Sequence, residues 1–175
     1  MELRSQATIP FSPRAVFTAC RDDIASLSAH LRGVRSIEVV SRTERGTKVD
    51  TVVEWRTGAH VPSPLRALIG RGVFEWTDHA TWDAETLSVD WWSESALLGG
   101  AVRCSARDVF APSGDGHTVL SVLGQVVIVP EEIRGVFSPF RGPAARWFEP
   151  RIAEWTGASV ERTAAALTAH LRSGR

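Results

Sequence analysis

The 175-residue sequence has no tyrosine, only two cysteines, no net charge and no long apolar run. Each shortage removes a class of protein. Twenty basic residues balance twenty acidic ones, so no global charge draws the chain to nucleic acid or to an anionic membrane. No stretch approaches the roughly 18 consecutive apolar residues of a membrane span. The start, with Glu2 and Arg4 in an alternating segment, lacks the apolar centre of a secretory signal. Stable membrane insertion and secretion are not expected, and the expected location is cytoplasmic. Cys20 and Cys104 fall in separate regular segments instead of a Cys-dense framework, which reads as free intracellular thiols.

Chemistry-bearing motifs are missing too. His30, His60, His79, His117 and His170 are scattered without the paired spacing of a zinc site. No Gly-x-Ser-x-Gly, P-loop or Gly-x-Gly-x-x-Gly motif occurs. No metal and no cofactor is implied.

What the chain does have is apolar content, 43% of residues against 23% charged, and seven tryptophans. Those proportions suit a folded protein with a substantial core, and the length suits one domain over 1–175. Tryptophan in place of tyrosine supplies wide apolar faces with a single N–H donor each, suited to a core or a pocket wall.

The periodicity along the chain changes twice. Residues 3–10 read as a strand stopped by Pro10, after which Ser12 stands at a helix N-cap and Pro13 at the first helical position. Phe17, Cys20, Ile24, Leu27 and Leu31 then line one helical face, with a break near Arg21 where Asp22 or Asp23 starts a second short helix, and Gly33 ends the stretch. From 35 onward, strands are predicted at 35–44, 47–57, 71–82, 86–95, 101–111 and 118–129. Short turns at Arg45-Gly46, Asp83-Ala84-Glu85 and Ser113 to Gly116 make these neighbours an antiparallel meander, and Leu97-Leu98-Gly99-Gly100 reads as another hairpin bend. The exception is the Pro-rich segment 58–70, which reads as a flap. After a second irregular stretch, a helix is predicted from Pro143 to about Leu171, about 40 Å long and kinked at Pro150. Its apolar face carries Trp147, Phe148, Ile152, Trp155, Val160, Ala164, Leu167 and Leu171.

This order of elements resembles that of the START-like superfamily, also described as the helix-grip or polyketide cyclase/dehydrase and lipid-transport (SRPBCC) superfamily, across essentially the whole chain. Ala7 to Phe17 is similar to that superfamily's first strand, polar cap and first helix, and Leu31 to Val40 to its entry into the second strand. The resemblance implies an α+β helix-grip fold: a curved antiparallel sheet of about seven strands, two short N-terminal helices and a long C-terminal helix. It also implies a groove between sheet and helix that takes lipids, sterols, polyketides or related molecules, and it does not choose between carriers and enzymes.

Strand alternation defines which residues face that groove. The inward phases are Val49, Thr51, Val53 and Trp55; Phe74, Trp76, Asp78, Ala80 and Trp82; Leu87, Val89, Trp91 and Ser93; and Val102, Cys104, Ala106, Asp108 and Phe110. The strand at 118–129 is apolar on both phases and has no preferred face. Asp78 and Asp108 interrupt otherwise apolar phases. A buried carboxylate is costly unless paired or protonated, so each reads as a ligand anchor or an acid/base group, or else as a strand end or bulge that reverses the phase.

The ligand-binding candidates are therefore Trp55, Trp76, Asp78, Trp91, Cys104, Asp108, Trp147 and Phe148. The catalytic candidates are Asp78, Asp108 and His60, the last on the flap at the expected mouth. Plain core packing is the alternative for the tryptophans, and a buried structural thiol for Cys104. The expected partner is an apolar small molecule. Arg134, Arg141, Arg146 and Arg151 among aromatics leave transient membrane contact open, with a solvated helix face as the alternative.

Overall fold

A computed structural model describes residues 1–57, 74–95, 99–132 and 159–174. β1 (Glu2–Ile9) leads into α1 (Pro13–Asp22) and a 3-10 helix (Ile24–His30). The meander follows as β2 (Val34–Arg45), β3 (Lys48–Thr57), β4 (Phe74–Asp83), β5 (Ser88–Ser95), β6 (Gly99–Ser113) and β7 (His117–Ile128). After a short 3-10 turn (Pro130–Glu132), α2 covers 159–173. The strands form one seven-stranded sheet in the order β1-β7-β6-β5-β4-β3-β2, with every neighbouring pair antiparallel. This is the α+β helix-grip arrangement expected from the sequence.

Local chemistry accounts for the boundaries. Pro13 opens α1 where its missing N–H costs nothing, and the Ser12 carbonyl accepts from Val16 N at 3.0 Å. The Ser12 hydroxyl makes no capping bond. The helix stops at Asp22, as the break near Arg21 foretold, and the apolar face continues on 3-10 geometry. The β2–β3 hairpin turns through Gly46 at φ +63°, a left-handed conformation that glycine adopts without a Cβ penalty. At the β4–β5 turn Asp83 Oδ1 accepts the Glu85 backbone N–H at 2.9 Å, so the short acid supplies the turn's acceptor. Gly99 and Gly100, expected in a hairpin bend, already belong to β6, and Ser95 pairs with Gly99.

The core lies between the sheet's inward face and the helices. Phe17 of α1 packs edge-on against both Trp82 and Phe110, each at 5.6 Å between ring centroids. Ile9, Val16, Leu27, Leu120, Val160, Ala164 and Leu167 complete the same buried cluster, which brings α2 into contact with the core built on α1. The face of β7 that composition left undecided is settled by its neighbours: Thr118, Leu120, Val122 and Val126 are buried, while Leu123, Gln125 and Val127 are turned outward. Tight approach of β6 to β7 is permitted by Gly124, where a Cβ would fall 2.2 Å from the Ser105 carbonyl oxygen. Among the described residues no helix is long and apolar enough to cross a membrane.

Candidate functional site

Strand pairing converts the inward phases into cross-sheet rows. Val53, Asp78, Ser93, Cys104 and Val126 form one row from β3 to β7. Thr51, Ala80, Trp91, Ala106 and Gly124 form the next, and Val49, Trp82, Val89, Asp108 and Val122 the third. Trp55 pairs with Trp76 beside the first row, and the two indoles stack at 5.4 Å and 7°. Every described candidate therefore lies on one face, whereas Leu87, expected on the inward phase of a strand, lies in the β4–β5 turn at φ +46°, before β5 begins.

Both acids sit within regular strands. Pairing runs without a shift through Asp78 on both sides and through Asp108 on both sides, so neither a strand end nor a bulge reverses their phase. Each is surrounded by protein, so desolvation raises its pKa, Asp78 to about 6 and Asp108 to about 7. Donors oppose that rise. The Ser93 hydroxyl donates to Asp78 Oδ1, and the nearby Trp76 and Trp55 indoles favour the ionised form further. Trp55 Nε1 is buried, and no partner of ordinary hydrogen-bond geometry satisfies it among the described residues, so its influence on Asp78 is that of a close dipole. Trp91 Nε1 donates to Asp108 Oδ1 at 2.8 Å, while the charges of Asp78 and Asp90 push Asp108 upward. Cys104 lies between the acids in the chemical sense too: burial and then both carboxylates push its thiol up to about 12, which leaves it protonated and a poor nucleophile. Cys20 of α1 is likewise raised by burial and by Asp108, and both cysteines are free thiols.

Surface exposure separates the site from the core on this single face. Val49, Thr51, Val53, Trp82, Val89 and Phe110 are buried. Trp55, Trp76, Asp78, Ala80, Trp91, Ser93, Cys104 and Asp108 face inward yet keep accessible surface. A groove of the expected kind would be lined by groups such as these, deep in the protein and still accessible. The segments expected to close it, the flap with His60 and the first part of the C-terminal helix with Trp147 and Phe148, lie outside the described residues. So do Pro150, Arg134, Arg141, Arg146 and Arg151.

Sequence reasoning passed over two features. Ser93 was placed on the inward phase, but only the β4–β5 register sets it opposite Asp78. The second is a shallow, open concavity of about 670 Å³ on the opposite face of the sheet, lined by His79, Trp92, Ser105, Arg107, Leu123 and Gln125. There His79 stacks on Trp92 at 3.9 Å and 4°, and its Nε2 lies 3.1 Å from Glu94 Oε1. It holds neither Asp78 nor Asp108, although Ala80 and Trp91 of the inward rows also border it. Among the described residues no group of three or more His, Cys, Asp or Glu is placed to hold a metal ion.

No protein-family model and no curated protein matches the sequence. Solved structures do. Protein TTHA0849 from Thermus thermophilus superposes with a TM-score of 0.67 at 21% identity, over 97% of this chain and 99% of that one. The Zhui aromatase/cyclase from a Streptomyces species gives 0.67 at 14% identity, over 100% and 96%. A START superfamily protein from Mycobacterium smegmatis gives 0.60 at 12% identity, over 99% of both chains. Likeness at these identities is likeness of backbone, and with the sheet order and the packed helices it shows that the chain has the START/SRPBCC helix-grip fold.

Proposed function

We propose that residues 1–175 form one ligand-binding domain that binds or carries an apolar small molecule, such as a lipid, polyketide or isoprenoid, against the inward face of the sheet and under the C-terminal helix. The observation that carries this reading is the inward face itself. Stacked Trp55 and Trp76, together with Ala80, Trp91 and Cys104, keep accessible apolar surface in a region where a packed core would bury it. Asp78, Ser93 and Asp108 supply the few polar groups that orient a ligand in such a site. The two free thiols and the balanced charge fit a cytoplasmic carrier.

Native mass spectrometry of the purified protein tests this directly, with Nile red fluorescence as the titration. A co-purifying small-molecule mass or saturable Nile red binding is expected, weakened at least several-fold by Trp76→Ala. Absence of both signals, or binding indifferent to Trp76→Ala, removes the reading.

A second reading, a cyclase, aromatase or dehydratase acting on a polyketide-like substrate, is favoured by the two pKa values near neutrality, the range in which a carboxyl both gives and takes protons. Acid/base work at one atom requires two groups converging on it. Asp108 stands two strands across from Asp78 and four residues along, roughly 10 Å by 13 Å between backbones. The two would therefore serve separate positions of an extended substrate. Conversion of a poly-β-ketone thioester to a cyclised product, abolished by Asp78→Asn or Asp108→Asn, would establish the enzyme; no turnover by a protein that binds Nile red favours the carrier.

A further inference from the structure

We infer that the ligand of the inward face carries a protonated amine on its apolar body, held by Asp108 beside the Trp91 indole, with Asp78 a second and more distant negative charge on the same face. This rests on the apolar-pocket reading above and narrows the class of molecule it takes.

The three cross-sheet rows contain two carboxylates and no lysine, arginine or histidine. The cations nearest in sequence are turned away by strand alternation and held there. His79, next to Asp78, stacks on Trp92 and meets Glu94 on the outer face. Arg107, next to Asp108, bridges to Asp90 at 3.2 Å and donates to Ser88. Neither acid has an ion-pair partner among the described residues; Asp78 is held by a hydroxyl and by indole dipoles, and Asp108 by one indole.

A carboxylate offers about four acceptor positions. Asp108 uses one on Trp91, so it has room for a donor from a ligand. Three ligand chemistries compete for that room. An anion meets two like charges and is rejected. A neutral hydroxyl forms an ordinary hydrogen bond. An ammonium forms a charge-assisted one and gains from indole faces as well, and here Trp91, Trp55 and Trp76 lie beside the acids. The amine should win over an isosteric alcohol by roughly tenfold.

The same geometry sets the pH response. Among the described residues, the titratable groups that bear on the two carboxylates are each other, Cys104, Cys20 from the packed α1, and, from the outer face, His79 and Asp90. A bound ammonium favours both ionised forms, so binding releases protons near pH 6 to 7 and tightens as pH rises to 8.

The test compares 2-phenylethylamine, 2-phenylethanol and 3-phenylpropanoate by calorimetry at pH 7.5 and at pH 5.5, with Nile red run in parallel. The amine is expected to bind about tenfold tighter than the alcohol at pH 7.5, with the anion weakest, and to lose most of that margin at pH 5.5. Asp108→Asn should abolish most of the amine's margin while leaving the alcohol within about twofold, and Asp78→Asn, which removes the more distant charge, should shrink it less. Equal or better binding of the alcohol or the anion overturns the inference, as does an amine preference that survives Asp108→Asn. If Nile red binds and none of the three probes does, the amine inference falls and the apolar pocket stands. If Nile red also fails, both fall.

Discussion

Trp91 Nε1 donates to Asp108 Oδ1 at 2.8 Å along a diagonal between β5 and β6, since Trp91 stands opposite Ala106 and Asp108 opposite Val89. The contact joins a large aromatic to a buried acid and is, among the described residues, the hydrogen bond that opposes the desolvation of Asp108. Trp91→Phe keeps the ring and deletes the donor. The Asp108 pKa should then rise further above 7, measured by carbon-13 NMR titration of the side-chain carboxyls. An unchanged or lower value would show that the indole does not stabilise the carboxylate.

The raised acids also set how stability follows pH. Folded Asp78 and Asp108 titrate near 6 and 7, against about 3.9 in an unfolded chain. The folded state therefore holds more protons between those values, and stability falls as pH rises from about 4 through 7. A two-unit rise corresponds to about 3 kcal/mol for one isolated group. Asp22, lowered by its hydrogen bond to Arg21 and by Arg42, acts with the opposite sign and in a more acidic window. Denaturant unfolding at pH 5 and pH 8 should show Asp108→Asn losing less stability across that range than the parent. A steeper loss in the variant would contradict the buried, uncompensated state of Asp108.

A further buried contact carries a different penalty. Trp82 Nε1 donates to Thr51 Oγ1 at 3.0 Å in the core beneath Phe17. Thr51→Val preserves shape and strands the indole donor, which should cost about 1–3 kcal/mol by chemical denaturation. Adding Trp82→Phe to that variant should cost less than the same change in the parent, because the donor is already unpaired. Simple additivity would remove the hydrogen bond from the account.

Gly124 tests the closeness of β6 and β7. Gly124→Ala places a methyl against the Ser105 carbonyl and Ala106, both fixed in a paired strand, and should destabilise by about 1–3 kcal/mol. Gly114→Ala, with nothing within 4 Å of the new Cβ, is the matched control. Equal effects of the two changes would mean that the strands can part without cost.

Sequence by itself determined the order of elements, because helix and strand periods are local and Pro10, Pro13, Gly33, Gly46 and the Asp83 turn mark their ends chemically. It also put Asp78 and Asp108 on the inward phase of their strands, with a strand end or a bulge as the alternative, and only the unshifted pairing on both sides of each acid removed that alternative. Tertiary structure decided the rest. The facing of β7 is invisible in a stretch apolar on both phases and was fixed only by pairing with β1 and β6. The partnership of Ser93 with Asp78 and of Trp91 with Asp108 depends on register between strands, which no single strand encodes. Which tryptophans are fully buried was likewise decided by what packs on them: Phe17 covers Trp82, while Trp55, Trp76 and Trp91 keep accessible surface beside two acids whose pKa values are raised chiefly by burial.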